Sequence, residues 1–299
     1  MTLAERTIVV TGGTGNAGSW IVDALADHGA EVVCLDRRVP VNPREDVRFY
    51  TVDLTDLGET AEIIQDADPD DVVHFGAIPD PETDAGSRVF VNNTVSTYNV
   101  LTAAGRAGAG IVWSSSESAY GFAWAEEQPL PNYLPIDEDH PMEPEDPYGT
   151  SKIAGEEIAK MVTRRYGVPA VSLRLSWVQY PGRYEVSTGP EIDPAAVSTS
   201  TFWSYVDIRD VISVVETSLS ADLDGHEAFN VHAADNHLGQ STATAFETTF
   251  GEYPEPCVIK EDEAAYTTAK AKRVLDWTPE HSWREAENEP IDRPTLFDG

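Results

Sequence analysis

Thr7-Ile-Val-Val-Thr11-Gly-Gly-Thr-Gly-Asn-Ala-Gly18, running on into Ser19-Trp-Ile-Val-Asp-Ala-Leu-Ala-Asp27, decides the fold. A β-branched run passes through four glycines into a segment where Ile21, Val22, Leu25 and Ala26 form one apolar stripe at helical spacing. The glycines satisfy G-x-G-x-x-G from Gly13 and a wider spacing at Gly12, Gly15 and Gly18. Glycines in a strand-to-helix turn let the backbone approach a pyrophosphate, whose charge then meets the helix N-terminus. Gly12, Gly15, Asn16, Ala17 and Gly18 are therefore the expected cradle for a dinucleotide.

The same alternation continues outward. Thr7–Val10, Glu31–Asp36, Val47–Asp53, Asp71–Phe75, Gly110–Ser114 and Ala170–Leu175 read as strands. Helical spacing recurs at Val89, Asn93, Thr97 and Leu101 and over Ile153–Val162. Strands alternating with helices predict an α/β fold, a Rossmann-like doubly wound parallel sheet with a small C-terminal substrate lobe. The expected division is 1–175 for the dinucleotide-binding domain and 176–299 for the lobe, with parts of 202–233 returning to the sheet. Residues 180–201, rich in Pro, Gly, Ser and Thr, read as a loop. Beyond it Asp207–Leu219, Ser241–Phe250 and Ala265–Leu275 read as helices and His226–His232 as extended.

Asp36 ends the second strand about twenty residues after the glycines, where a carboxylate accepts from a ribose 2′-hydroxyl and favours NAD. Arg37 and Arg38 follow it and suit the 2′-phosphate of NADP, so the sequence leaves the choice between NAD and NADP open. Asp53 and Leu54 are expected to border the adenine, with helix capping before Leu54–Ala67 as the plainer role for Asp53. Phe75, Gly76 and Ala77 keep the chain small where it passes the ligand. His74 reads as a packed strand residue.

Val112-Trp-Ser-Ser-Ser-Glu-Ser118 puts hydroxyls at the carboxyl end of the fifth strand, and Tyr148-Gly-Thr-Ser-Lys152 follows on a helix. A spacing of four stacks Tyr148 and Lys152 on one helical face. A phenol, with a pKa of about 10, becomes a useful base only when its anion is stabilised, and the charge of Lys152 is expected to supply that. Ser116 is expected to hold the substrate oxygen.

These residues resemble the extended short-chain dehydrogenase/reductase family, also called the NAD-dependent epimerase/dehydratase family. Asp53-Leu54, Val73-His-Phe-Gly-Ala77, Asn93, Phe202–Asp210 and Lys270–Pro279 add to the likeness, which covers nearly the whole chain. The resemblance implies an enzyme with Ser116, Tyr148 and Lys152 as the catalytic set. It also implies that Asn93 lies near the nicotinamide ribose and that Ser114 joins the cofactor contacts.

The acid pair that the family's sugar dehydratases carry after the serine is replaced by Glu117 and Ser118, which weighs against dehydration. The stretch before Phe202 is short and has Arg183 as its one base, which suits a small sugar better than a sugar diphosphate. In these features the chain looks nearest to uronate dehydrogenases and to the aldose 1-dehydrogenases (L-arabinose type) of halophilic archaea. The expected reaction is oxidation of a free aldose or uronate at C1 to the lactone. Nucleotide-sugar 4-epimerisation is the alternative, and a nucleotide-sensing regulator without chemistry is a third reading. Ser116, Glu117, Ser118, Ser176 and Arg183 are the expected substrate contacts.

The 52 acidic and 20 basic residues, only five of them lysines, give a formal net charge of -32. The acids are spread from Asp23 to Asp298 and would repel nucleic acid and anionic membranes alike. No secretion signal, membrane span, disulfide framework or metal-ligand spacing is evident, so a cytoplasmic location without metal is expected. A homodimer through the helices bearing Asn93 and Tyr148, which carry Val89, Val95, Ile158 and Met161, is the expected assembly. Such a surface belongs to molar salt, where the Debye length shrinks to roughly 3 Å and self-repulsion is screened. The thermal midpoint should therefore climb steadily from about 0.1 M KCl to molar KCl; a scanning-fluorimetry series showing a flat midpoint would reject this.

Overall fold

The computed structural model describes residues 2–40, 42–286, 288–291 and 294; the end of the expected lobe, 295–299, lies outside them. The strands are β1 (Thr7–Thr11), β2 (Glu31–Asp36), β3 (Val47–Thr51), β4 (Asp71–His74), β5 (Gly110–Ser116), β6 (Ala170–Leu175), β7 (Val178–Gln179), β8 (Val206–Asp207) and β9 (His226–Val231). The helices are α1 (Asn16–Asp27), α2 (Leu57–Ala67), α3 (Gly86–Ala107), α4 (Pro147–Tyr166), α5 (Ile208–Ser220), α6 (Thr242–Phe250), α7 (Ala269–Leu275) and α8 (Trp283–Ala286). Seven strands form one parallel sheet in the order β3-β2-β1-β4-β5-β6-β9. The order reverses between β1 and β4, which opens a crevice at the strands' carboxyl ends.

Strands in such a sheet are covered on both faces, and their side chains alternate between two cores. Ile8 and Val10 of β1 join α1, α5 and α7 through Ile21, Leu25, Val211, Val214 and Leu275. Val9 of the same strand joins α2, α3 and α4 through Ile64, Leu101, Ala159 and Val162. A third core builds the small lobe from Phe202, Trp203, Leu238, Phe246 and Tyr266 together with Tyr120, Phe122, Leu134 and Ile136. The lobe thus draws on residues upstream of 175, from the long connection between β5 and α4.

Tertiary pairing shifts several boundaries. The predicted helix from Ala265 starts at Ala269, because the Ile136 N–H donates to Ala265 C=O at 2.8 Å and Tyr266 bridges Ile136 as extended chain. Asp56, not Asp53, caps α2, accepting from the Glu59 N–H at 3.0 Å; Asp53 accepts instead from the N–H and hydroxyl of Thr55. β5 runs two residues past Ser114, with Ser115 and Ser116 registered against Arg174 and Leu175 of β6. Val89 is fully buried, so the exposed apolar residues of α3 are Phe90, Val91 and Tyr98 instead. Ile158 and Met161 pack as half-buried residues on the second core.

A buried ion pair sits where β5, β6 and α4 meet. Arg174 donates from Nε and Nη2 to the two carboxylate oxygens of Glu156, each at 2.9 Å. Its Nη1 donates to the Tyr120 hydroxyl at 2.8 Å and to Glu138 C=O at 3.0 Å, and Ser115 Oγ donates to Glu156 Oε1 at 2.8 Å. Removing one partner strands the other charge in the interior. Arg174→Met should cost about 3–5 kcal/mol in a denaturant titration at high salt, and a loss under 1 kcal/mol would show that the pair is not the brace described.

Candidate active site

The glycine turn is built by close backbone contact. Gly12 takes φ +71°, donates to Leu35 C=O at 2.9 Å and accepts from the Gly15 N–H at 3.0 Å, and α1 begins with Gly15 as its N-cap. A Cβ at Gly12 would lie 2.6 Å from Gly76 N, and one at Gly18 would lie 2.1 Å from Gly12 O. Gly13 is required for another reason: its Cβ would meet Cys34 Sγ at 2.5 Å, so it packs the turn onto β2. This cradle fits a dinucleotide's diphosphate, with the amino end of α1 facing it.

Two cavities meet there, sharing Gly12, Gly15, Phe75 and Ala77. The smaller, about 480 Å³, brings together Asp36, Arg37, Arg38, Asp53, Leu54 and Gly76. It also takes Arg88, Asn92 and Ser96 from α3, which sequence reasoning passed over although their spacing of four marks one helical face. Asp36 accepts from the Thr14 N–H at 3.0 Å and from the Arg37 N–H at 2.6 Å, which fixes the carboxylate over the turn. Arg37 and Arg38 are exposed at the rim.

The larger cavity, about 1210 Å³, brings Asn16, Ala17 and Gly18 together with Ser114, Ser116, Glu117, Ser118, Tyr148, Lys152 and Ser176. Asp146 caps α4 by accepting from the Gly149 N–H at 2.7 Å, and Pro147 stands in the first turn. Gly155 lets the helix lie against β5, since a Cβ there would meet the Trp113 ring at 2.4 Å. That contact carries Lys152 over the sheet, where its Nζ donates to Ser114 C=O at 2.6 Å and lies 5.2 Å from the Tyr148 ring centre. Burial lowers Lys152 to about 7. Burial also pushes the Tyr148 phenol up to about 12, against the hydrogen bond with Ser116 that pulls it down, while the carboxyls of Asp146 and Glu117 add to the rise. The group lowering the phenol in this structure is therefore Ser116, where the sequence pointed to Lys152. Ser116 Oγ in turn accepts from the Ser118 N–H at 3.1 Å.

Asn93 stands one layer behind the cavities. Its Oδ1 accepts from the Ile78 N–H at 2.8 Å and its Nδ2 donates to Ile78 C=O at 2.9 Å, so it holds the chain leaving β4 rather than facing the pocket. Arg183 also lies outside the lining residues, on a turn where its Nη2 is 3.9 Å from Glu185. His74 is a core residue, bonded to Thr11 and Thr97 and lowered to about 3 by burial. Trp124, Trp177 and Tyr180 line the larger cavity with no periodicity or motif to announce them.

A parallel sheet with a glycine cradle, and a Tyr-x-x-x-Lys helix set against a serine at the end of β5, defines a nicotinamide-dinucleotide enzyme. The chain belongs to the NAD dependent epimerase/dehydratase family, whose model matches residues 8–192. A UDP-glucose 4-epimerase of Lacticaseibacillus casei is 36% identical over 177 residues, covering 56% of this chain and 50% of its own. The chain spans about half the length of most of the curated relatives it matches. Among solved structures, a UDP-glucose 4-epimerase of Thermotoga maritima, determined with UDP-glucose, superposes with TM-score 0.71 at 22% identity over 94% of this chain and 96% of that one. A mutated uronate dehydrogenase superposes with TM-score 0.68 at 20% identity over 96% and 88%. At these identities the structures speak for the shared fold.

Among the described residues, no helix is long and apolar enough to cross a membrane. Gly18→Ala should push the turn apart at Gly12 and weaken NAD binding by about tenfold or more, read by calorimetry in molar salt; unaltered affinity would mean that the cradle is not the diphosphate site.

Proposed function

We propose that this enzyme moves hydride between a sugar carbinol and NAD, with Tyr148 as the base, Ser116 orienting the reacting oxygen and Lys152 beneath the phenol. The observation that carries the proposal is that Ser116, Tyr148 and Lys152 line the larger cavity together with Gly12, Gly15 and Gly18 of the glycine cradle. Bound NAD supplies the hydride acceptor. In its phenolate form Tyr148 takes the carbinol proton, and Ser116 bonds both the phenolate and the substrate oxygen, so the two oxygens are brought into line. Lys152 is anchored to Ser114 C=O and keeps a positive charge below the phenol at pH values under about 7.

Two forms of this chemistry compete. The names of the relatives favour 4-epimerisation of a nucleotide sugar, in which hydride and proton are returned, and they support it better than dehydrogenation. The charge of the cavity favours C1 oxidation of a free sugar. Lys152 is the only lysine or arginine among the described residues lining it, against Asp80, Glu82, Glu145, Asp146 and Glu185. A sugar diphosphate placed there would lack the guanidinium clamps that phosphates use. The same charge, with Arg183 off the lining, favours a neutral aldose over a uronate. NAD is the proposed cofactor because Asp36 is fixed where a ribose hydroxyl would meet it; Arg37 and Arg38 leave room for NADP.

A panel of pentoses, hexoses, uronates and UDP-sugars with NAD and NADP at molar salt separates the two forms. Net cofactor reduction by a free sugar establishes the dehydrogenase, and interconversion of UDP-sugars without net reduction establishes the epimerase. In either case Tyr148→Phe should lower kcat by at least about 100-fold while NAD affinity changes little; turnover retained in that variant would overturn the assignment.

A further inference from the structure

Beneath the larger cavity lies a set of buried polar atoms that the mechanism above does not use. Glu117 Oε2, both ring nitrogens of His232 and the Tyr266 hydroxyl are sealed from solvent and have no hydrogen-bond partner. His232 follows β9, and its ring stacks on Tyr266 with centres 4.2 Å apart and planes within 10°. Its Nδ1 stands 3.7 Å from Glu117 Oε2. The other oxygen, Oε1, is served: it accepts from Ser176 Oγ at 3.1 Å.

The gap between Oε2 and Nδ1 can be closed in two ways. An ionised Glu117 would need the Nδ1–H tautomer of His232 and would still bury a full charge with no cation acting on it, at a large desolvation cost. A protonated Glu117 turns the same oxygen into a donor aimed at an acceptor, and a side-chain movement of about 1 Å closes an O–H···N bond. Two of the four orphaned atoms are then satisfied.

We propose that Glu117 works as a neutral carboxyl whose proton lies between Oε2 and His232 Nδ1, and that in this form it positions Ser176 as a pure acceptor toward the substrate. The single proton of Ser176 is given to Glu117 Oε1, so only its lone pairs face the cavity, and the group it reads must be a donor such as a sugar hydroxyl. Glu117 is a positioning residue here, not an acid that reaches the substrate. This rests on the larger cavity being the substrate site.

The surroundings agree. Burial holds the Glu117 carboxyl well above its ordinary range and takes His232 down to about 3, so both are neutral near pH 7. The other ionisable groups facing the cluster are Tyr266 beside His232, Tyr120 with Arg174 behind Tyr266, and Tyr148 and Lys152 across the cavity floor. A charge on Glu117 would raise Tyr148 further and impair the base, so neutrality at Glu117 serves the phenol as well.

The proton is tested without substrate. A carboxyl raised in the folded state lends stability below its unfolded pKa and loses it as pH rises toward the folded one. Glu117→Gln cannot ionise, so its midpoint should gain on the wild type progressively as pH rises above the ordinary glutamate value of about 4.3. At neutral pH an infrared difference spectrum of wild type minus Glu117→Gln should contain a protonated-carboxyl band. A constant midpoint difference with no such band would overturn the neutral carboxyl whatever the sugar proves to be. The positioning is tested by kinetics: Glu117→Ala should raise KM about tenfold with a smaller change in kcat, and Glu117→Gln by less than about threefold. Should Glu117→Ala fail to fold, Ser176→Ala carries the same KM test. Equal losses in the Gln and Ala variants, or no KM effect in Ser176→Ala, would overturn the positioning role.

Discussion

The Arg174–Glu156 pair locks β5, β6 and α4 together at one buried point. Arg174 belongs to β6, Glu156 to α4, and Ser115, which bonds the same carboxylate, to β5. One turn before Glu156 on α4 is Lys152, and next to Ser115 is Ser116. Any slip of α4 along the sheet would break a bidentate, fully buried ion pair, so the register of Tyr148 and Lys152 against Ser116 is fixed by a charge that has nowhere else to go. The remaining guanidinium nitrogen reaches Tyr120 and the Glu138 carbonyl, and so ties the small lobe's core to the same point.

Around this brace the two cavities differ in the cations that line them. Arg37, Arg38 and Arg88 stand around the smaller cavity, while the larger has Lys152 alone among its described lining residues. In a chain of net charge -32 this gathers positive potential at the smaller cavity and leaves the larger to hydroxyls, indoles and carboxyl groups. A ligand of the larger cavity would be held there by shape and hydrogen bonds, which salt screens less than it screens Coulombic attraction.

The sheet and the nucleotide side were legible because they rest on local rules. The strand–glycine–helix turn, Asp36 at the end of β2 and the Tyr148–Lys152 spacing each use contacts within one or two elements. The small lobe was less legible because its contacts join distant segments. Ala265 and Tyr266 carry a helical pattern, yet they pair with Ile136 as extended chain, and the apolar pattern of α3 did not distinguish buried Val89 from exposed Phe90 and Val91. Asn93 was placed by resemblance near the ribose, but its carboxamide is spent on Ile78. Glu117 could be weighed from sequence only as an acid or a ligand, since its meaning depends on His232, more than a hundred residues away and brought beside it by β9 joining the sheet.

The long connection between β5 and α4 has a consequence for how this molecule can be taken apart. It separates Ser116 from Tyr148 in the chain, and it supplies Tyr120, Phe122, Leu134 and Ile136 to the lobe's core. The lobe is therefore not a cassette appended after the nucleotide fold. A chimera joined near residue 175 would carry one half of a foreign core facing one half of the native core, and the seam would run through that packing. Exchange of substrate range between relatives would require two crossovers, one on each side of the Tyr148 helix, with α4 and its brace left behind.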